Sequence, residues 1–102
     1  MWVKICGITT LEDARCAIDA GADALGFVFY PKSPRYITPE NAKAIVAQLP
    51  LHVKKIGLFV EALPEEINVT CKTSFIDMAQ IHFEVDEMFL LALDVPYLLV
   101  TR

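Results

Sequence analysis

Ala24-Leu25-Gly26-Phe27-Val28-Phe29-Tyr30 is an unbroken apolar run with no charge in it. A short run of this kind, rich in aromatic and β-branched residues, reads as a strand covered on both faces, the usual state of a strand in a parallel sheet. Upstream, Thr9 and Thr10 offer N-caps and Glu12 and Asp13 suit a first helical turn. Leu11, Ala14, Ala17 and Ile18 then fall on one face, and Gly21 closes the helix. Further upstream, Trp2 to Cys6 is a strand ended by Gly7.

Downstream, Pro31 to Ile37 holds two prolines and lacks periodicity, so it is expected to be a structured loop. Thr38-Pro39-Glu40 starts the next helix, with Ala42, Ile45, Val46 and Leu49 as its buried stripe and Pro50 as its stop. Lys55 to Val60 is a third strand, and Pro64-Glu65-Glu66 opens a third helix carrying Leu63, Ile67 and Cys71. Asn68, Val69, Thr70 and Thr73 are poor helix formers, so this helix is expected to fray at its C-terminal end. Ile76 to His82 is a fourth strand, Asp86 to Leu93 a short helix, and Tyr97 to Val100 a fifth strand.

The resulting order, (βα)4β over residues 1–102 as one domain, implies right-handed crossovers and a parallel α/β sheet. Two architectures fit. One is slightly more than half of a (β/α)8 TIM barrel; the other is a flavodoxin-like open sheet. Periodicity leaves both open.

The bulk properties narrow the function. A net charge of −4 without a run of Lys or Arg argues against nucleic acid. No apolar stretch approaches the roughly 20 residues that span a bilayer, and Met1-Trp2-Val3-Lys4 leads straight into a strand pattern rather than a signal peptide. A cytoplasmic protein is therefore expected. Cys6, Cys16 and Cys71 form no CxxC pair and suit reduced thiols. GxGxxG, P-loop and HExxH patterns are absent, so no dinucleotide, triphosphate or zinc signature is seen.

In both architectures chemistry gathers at the C-terminal ends of the strands. Those ends carry Cys6, Tyr30 with the loop to Arg35, Val60-Glu61, Gln80 with His82, and Thr101-Arg102. Cys6 lies two residues after Lys4 on one strand face. A neighbouring cation favours the thiolate, the form that acts as base or nucleophile, although free cysteine often serves only as a small packing residue. Arg35 offers guanidinium donors for a carboxylate or phosphate, and His82 could hold a proton near neutral pH. Each also has a plain alternative, a solvated loop cation and a structural histidine. Cys16 and Cys71, on helices, are expected to be packing residues.

Lys4-Ile5-Cys6-Gly7-Ile8-Thr9, Gly21-Ala22-Asp23-Ala24-Leu25-Gly26-Phe27-Val28-Phe29, Ser33-Pro34-Arg35-Tyr36 and Val53-Lys54-Lys55-Ile56-Gly57-Leu58-Phe59-Val60 stand in the order and spacing of one family. The chain resembles the phosphoribosylanthranilate isomerases, closely through about residue 67 and more weakly beyond. The resemblance implies a (β/α)8 barrel and the rearrangement of N-(5-phosphoribosyl)anthranilate to its carboxyphenylamino-deoxyribulose phosphate in tryptophan biosynthesis. It implies Cys6 as general base, Arg35 on the anthranilate carboxylate, and Gln80 and His82 beside the substrate, with no cofactor.

Where that family usually has Gly after the fourth-strand histidine, this chain has Phe83. The family's catalytic Asp after strand six and its phosphate loops after strands seven and eight have no counterpart in the 102 residues. The expectation is a truncated chain with impaired turnover, or one that pairs with a second copy or a complementing second half. The competing reading is a non-catalytic α/β module that binds a partner through its open edge.

Overall fold

The computed structural model of the chain describes residues 1–100. Strands β1 (Lys4–Cys6), β2 (Ala24–Val28), β3 (Lys54–Phe59), β4 (Met78–Ile81) and β5 (Tyr97–Leu99) alternate with helices α1 (Leu11–Asp19), α2 (Pro39–Val46), α3 (Pro64–Ser74) and α4 (Glu87–Leu91). The strands form one parallel sheet in the order β1-β2-β3-β4-β5. A flavodoxin-like sheet would begin 2-1-3, reversing direction so that helices cover both faces. Strict sequential order under right-handed crossovers puts every helix on one side and leaves the other face for a barrel interior.

The register assigns the faces. Leu25, Phe27, Phe59, Ala79 and Ile81 pack with Ala14, Ala17, Ala42, Ile45, Val46, Ile67 and Cys71 into one buried cluster between sheet and helices. The opposite face carries Lys4 and Cys6, then Gly26, Ile56, Leu58, Met78, Gln80 and Leu98. Across it Lys4 Nζ donates to Gln80 Oε1. A flat sheet would hold β1 and β4 about 14 Å apart, with side chains standing perpendicular to it. The bond therefore marks a sheet that curls around this face.

Helix starts follow the local chemistry. Thr10 accepts from Asp13 N–H at 3.0 Å, Thr38 from Asn41 N–H at 3.2 Å and Asp86 from Phe89 N–H at 2.8 Å. Pro39 and Pro64 occupy first helical positions, where the missing N–H costs nothing. Expected burial of Ala42, Ile45, Val46 and Leu49 holds throughout.

Differences from the sequence reading have tertiary causes. Helix α3, expected to fray at its end, runs eleven residues to Ser74, with Phe75 as a left-handed cap. Its weak formers are compensated by Ile67, Cys71 and Ser74 going into the core, and by Ser74 Oγ donating to Pro39 O at 3.0 Å. Asn68 clamps the helix to the α4–β5 connection, donating to Ala92 O at 2.9 Å and accepting from Asp94 N–H at 2.8 Å. Leu63, expected on the buried stripe, is exposed, because it is the residue before the helix. Cys16, expected to pack, is exposed as well.

At the N-terminal ends of the strands one device occurs twice. Asp23 Oδ2 accepts from Val3 N–H at 2.7 Å and Asp77 Oδ2 from Lys55 N–H at 2.9 Å. Each Asp immediately precedes a strand and ties the start of the strand before it. This end of the sheet is fastened, which leaves the C-terminal ends for chemistry.

Candidate functional site at the strand C-termini

Cys6 ends β1 half-buried, its side chain lying directly over Gly26 of β2. The following turn is fastened beneath it, with Gly7 N–H and Ile8 N–H both donating to Gly26 O at 3.0 and 3.1 Å. Gly7 has φ +90, a left-handed conformation that glycine adopts without a side-chain penalty.

Arg35 reaches this turn from the β2–α2 loop. Ser33 N–H donates to Tyr30 O and Arg35 N–H to Ser33 Oγ, both within 3.1 Å, and Ile37 N–H returns to Val28 O at 3.0 Å. The chain is thereby folded back, with Tyr36 bridged to Val28. An ideal Cβ on Gly7 would lie 2.5 Å from Arg35 Cδ and 2.9 Å from Nη1, so the arginine lies flat against the glycine. Cys6, Gly7, Thr9, Asp13 and Arg35 line one shallow depression. Two residues 29 apart in sequence thus meet through the backbone of a third.

Gln80 and His82 lie together on β4 and its end, with Gln80 Nε2 and His82 Nε2 2.6 Å apart. Lys4, from the same strand face as Cys6, closes this group through Gln80 Oε1. His82 also borders a cleft of about 720 Å³ with Val60, Glu61, Glu84, Leu99 and Val100. Cys6 and Arg35 therefore form one cluster and Gln80 and His82 another, joined by Lys4. Thr101 and Arg102, counted among the polar strand ends, lie outside the described residues.

Two features escaped the sequence reading. Glu61, on the cleft wall, has φ 61, unusual for a residue with a side chain. No glycine or asparagine marks that turn. Phe83, in the place of the family's usual glycine, is not among the described residues with positive φ, and it packs edge-on against Phe89 of α4 at 5.5 Å. The loop thus uses an aromatic contact with α4 rather than glycine's freedom. No group of three or more His, Cys, Asp or Glu is arranged to hold a metal among the described residues. No helix there is long and apolar enough to cross a membrane.

The chain is 57% identical over its full length to an N-(5'-phosphoribosyl)anthranilate isomerase of Sulfurovum sp. (strain NBC37-1), of which it covers 52%. It superposes with a TM-score of 0.93 and 42% identity on a phosphoribosyl anthranilate isomerase solved with reduced 1-(o-carboxyphenylamino)-1-deoxyribulose 5-phosphate, over 97% of this chain and 52% of that one. A further match, with TM-score 0.91, 40% identity and coverage of 97% and 51%, is to monomers generated from the dimeric enzyme of Thermotoga maritima. The chain thus spans about half the length of the relatives it matches, and its curled sequential sheet is slightly more than half of their TIM barrel. Residues 3–98 match the family described as PRAI, N-(5'phosphoribosyl)anthranilate (PRA) isomerase, and the chain belongs to that family.

Proposed function

We propose that this chain carries the N-terminal part of a phosphoribosylanthranilate isomerase active site, acting in tryptophan biosynthesis in the cytoplasm. The observation that carries the reading is the meeting of Cys6 and Arg35 across Gly7. A potential base and a guanidinium share one depression at the strand C-termini.

In the rearrangement an acid opens the furanose and a base moves one proton. Cys6 as thiolate takes the proton from C2 of the ring-opened imine. The C2–H electron pair forms the C1–C2 double bond, the protonated imine nitrogen takes the displaced pair as a neutral amine, and the resulting enol becomes the ketone as C1 gains a proton and the C2 hydroxyl loses one. Arg35 holds the anthranilate carboxylate, which fits the planar fork of a guanidinium. Gln80 and His82 contact substrate oxygens from β4. The acid and the phosphate site come from the remaining barrel strands, which these 102 residues do not hold. Exposure of the edge strand supports this, since Tyr97, Leu98 and Leu99 of β5 are 40 to 49% exposed, an apolar edge that a further strand would cover.

The test is fluorescence-monitored turnover of phosphoribosylanthranilate by the chain alone and with a polypeptide carrying the remaining strands of a relative. Turnover is expected only in the second case, with Cys6→Ala lowering it by about 10² to 10⁴-fold. Indifference to Cys6→Ala in the complemented enzyme would favour a non-catalytic α/β module. Full activity of the chain alone would overturn the need for a second half.

A further inference from the structure

We infer that Lys4 is a positioning residue that sets the tautomer of His82 through Gln80. Its consequence for the reaction rests on the function proposed above; the hydrogen-bond logic does not.

A lysine ammonium has three donors and no acceptor. The group that Lys4 Nζ meets on Gln80 must therefore be the carbonyl oxygen, Oε1. That choice removes the ambiguity of the amide, whose two ends are otherwise interchangeable in shape. With Oε1 held toward Lys4, the NH2 end faces His82, and its nitrogen lies 2.6 Å from His82 Nε2. An amide NH2 only donates. His82 Nε2 must then be the acceptor, and in the neutral ring the proton sits on Nδ1. Lys4 thus determines, from β1 and across the curled face, which nitrogen of a β4 histidine carries the hydrogen.

The functional meaning follows. A group that His82 meets through Nδ1 is met by an N–H donor, which suits a carboxylate, hydroxyl or phosphate oxygen of a sugar-phosphate substrate. The second N–H of Gln80 remains a donor of the same sign. Lys4 thereby makes this side of the site donate, leaving proton abstraction to the β1 thiol.

The test is nitrogen-15 NMR of the imidazole nitrogens in the 102-residue chain, at about pH 8, where an unperturbed histidine is neutral. His52 is replaced by Gln to leave one signal set. The Nδ1–H pattern is expected for His82 in the otherwise unaltered chain. Lys4→Arg, also donor-only, should keep it, and Lys4→Met should release it to a mixture of tautomers. Lys4→Glu, which can only accept, should turn the amide around and convert His82 to the Nε2–H form. An Nε2–H pattern with Lys4 present would overturn the inference, as would a tautomer that ignores both Met and Glu at position 4. Because this readout needs no turnover, a failed isomerase assay and a failed tautomer assignment are separate results.

Discussion

An ideal Cβ built on Gly26 lies 2.7 Å from Cys6 Sγ and 3.1 Å from Cys6 Cα, so the thiol occupies the space that any other residue at position 26 would fill. Gly26→Ala is therefore expected to act first on Cys6. Overpacking of this kind costs about 1 to 3 kcal/mol. Removing the sulfur with Cys6→Ala should restore part of it, giving a coupling of about 1 kcal/mol in a double-mutant cycle measured by urea unfolding. Strict additivity would show that the two side chains do not share this space.

Gly7→Ala differs, because two penalties coincide there. The backbone at φ +90 disfavours any L side chain, and the new methyl would meet Arg35 Cδ at 2.5 Å. The arginine is flexible and can swing aside, whereas the backbone cannot. The expected loss is about 1 to 2 kcal/mol. In the Arg35→Ala background the loss should persist almost in full. In the complemented isomerase, Gly7→Ala should raise KM through the displaced guanidinium. A stability loss that vanishes without Arg35 would place the strain in the side chain instead.

These two relationships show what was legible in the sequence. The second strand from Ala24, the Thr10 and Thr38 caps and the buried stripe of α2 follow from local rules, because each depends on neighbours within a few positions. The choice between barrel and open sheet was not local. It depends on the order in which strands pair and on a contact between Lys4 and Gln80, 76 residues apart. The site is readable only as separate strand-end residues: the prolines around Arg35 suggest a loop able to fold over the sheet, but nothing local says that it rests on Gly7. The full length of helix α3 is not legible for the same reason, since propensity does not see Asn68 bonding to the α4–β5 connection.

Asn68→Ala tests that last point. The substitution improves helix propensity yet removes both bonds to Ala92 O and Asp94 N–H. Global stability is expected to change by about 1 kcal/mol or less, because the gain offsets part of the loss. Amide exchange in α4 and β5 should quicken selectively. Unchanged protection at Phe89 and Leu90, with equal protection elsewhere, would show that the clamp is not what holds this edge.

The three thiols should separate by reactivity. Cys16 is exposed, Cys6 half-buried, and Cys71 buried with its pKa pushed up to about 12 by desolvation. A small alkylating reagent near neutral pH is expected to modify Cys16 and Cys6 in the native chain and to reach Cys71 only on unfolding, since burial shields it and the thiolate is the reacting form. Mass spectrometry of native and urea-treated samples distinguishes them. Modification of Cys71 in the native chain at the rate of Cys16 would mean that α3 opens.

The same buried thiol makes stability depend on alkaline pH, with a sign that can be worked out. Below the ordinary thiol value of 9.0 both states hold the proton and nothing changes. Between 9.0 and about 12 the unfolded chain has lost the Cys71 proton and the folded chain has not, so stability falls as pH rises. Lys55 works the other way. Burial lowers its pKa below 10.5, only partly offset by Asp77, with Lys54 lowering it further. In the window just below 10.5 the unfolded chain therefore holds a proton the folded one lacks, and stability rises with pH there. Above 10.5 only the Cys71 contribution remains of the two. Cys71→Ala should accordingly be less stable than the natural chain near neutral pH, by about 1 kcal/mol or more for the lost core contacts. The gap should close as pH climbs past 9.0, and Lys55, titrating alike in both proteins, leaves it unchanged. Urea midpoints of the two proteins across this range decide it: parallel curves would show that the Cys71 thiol ionises as readily in the folded chain as in the unfolded one.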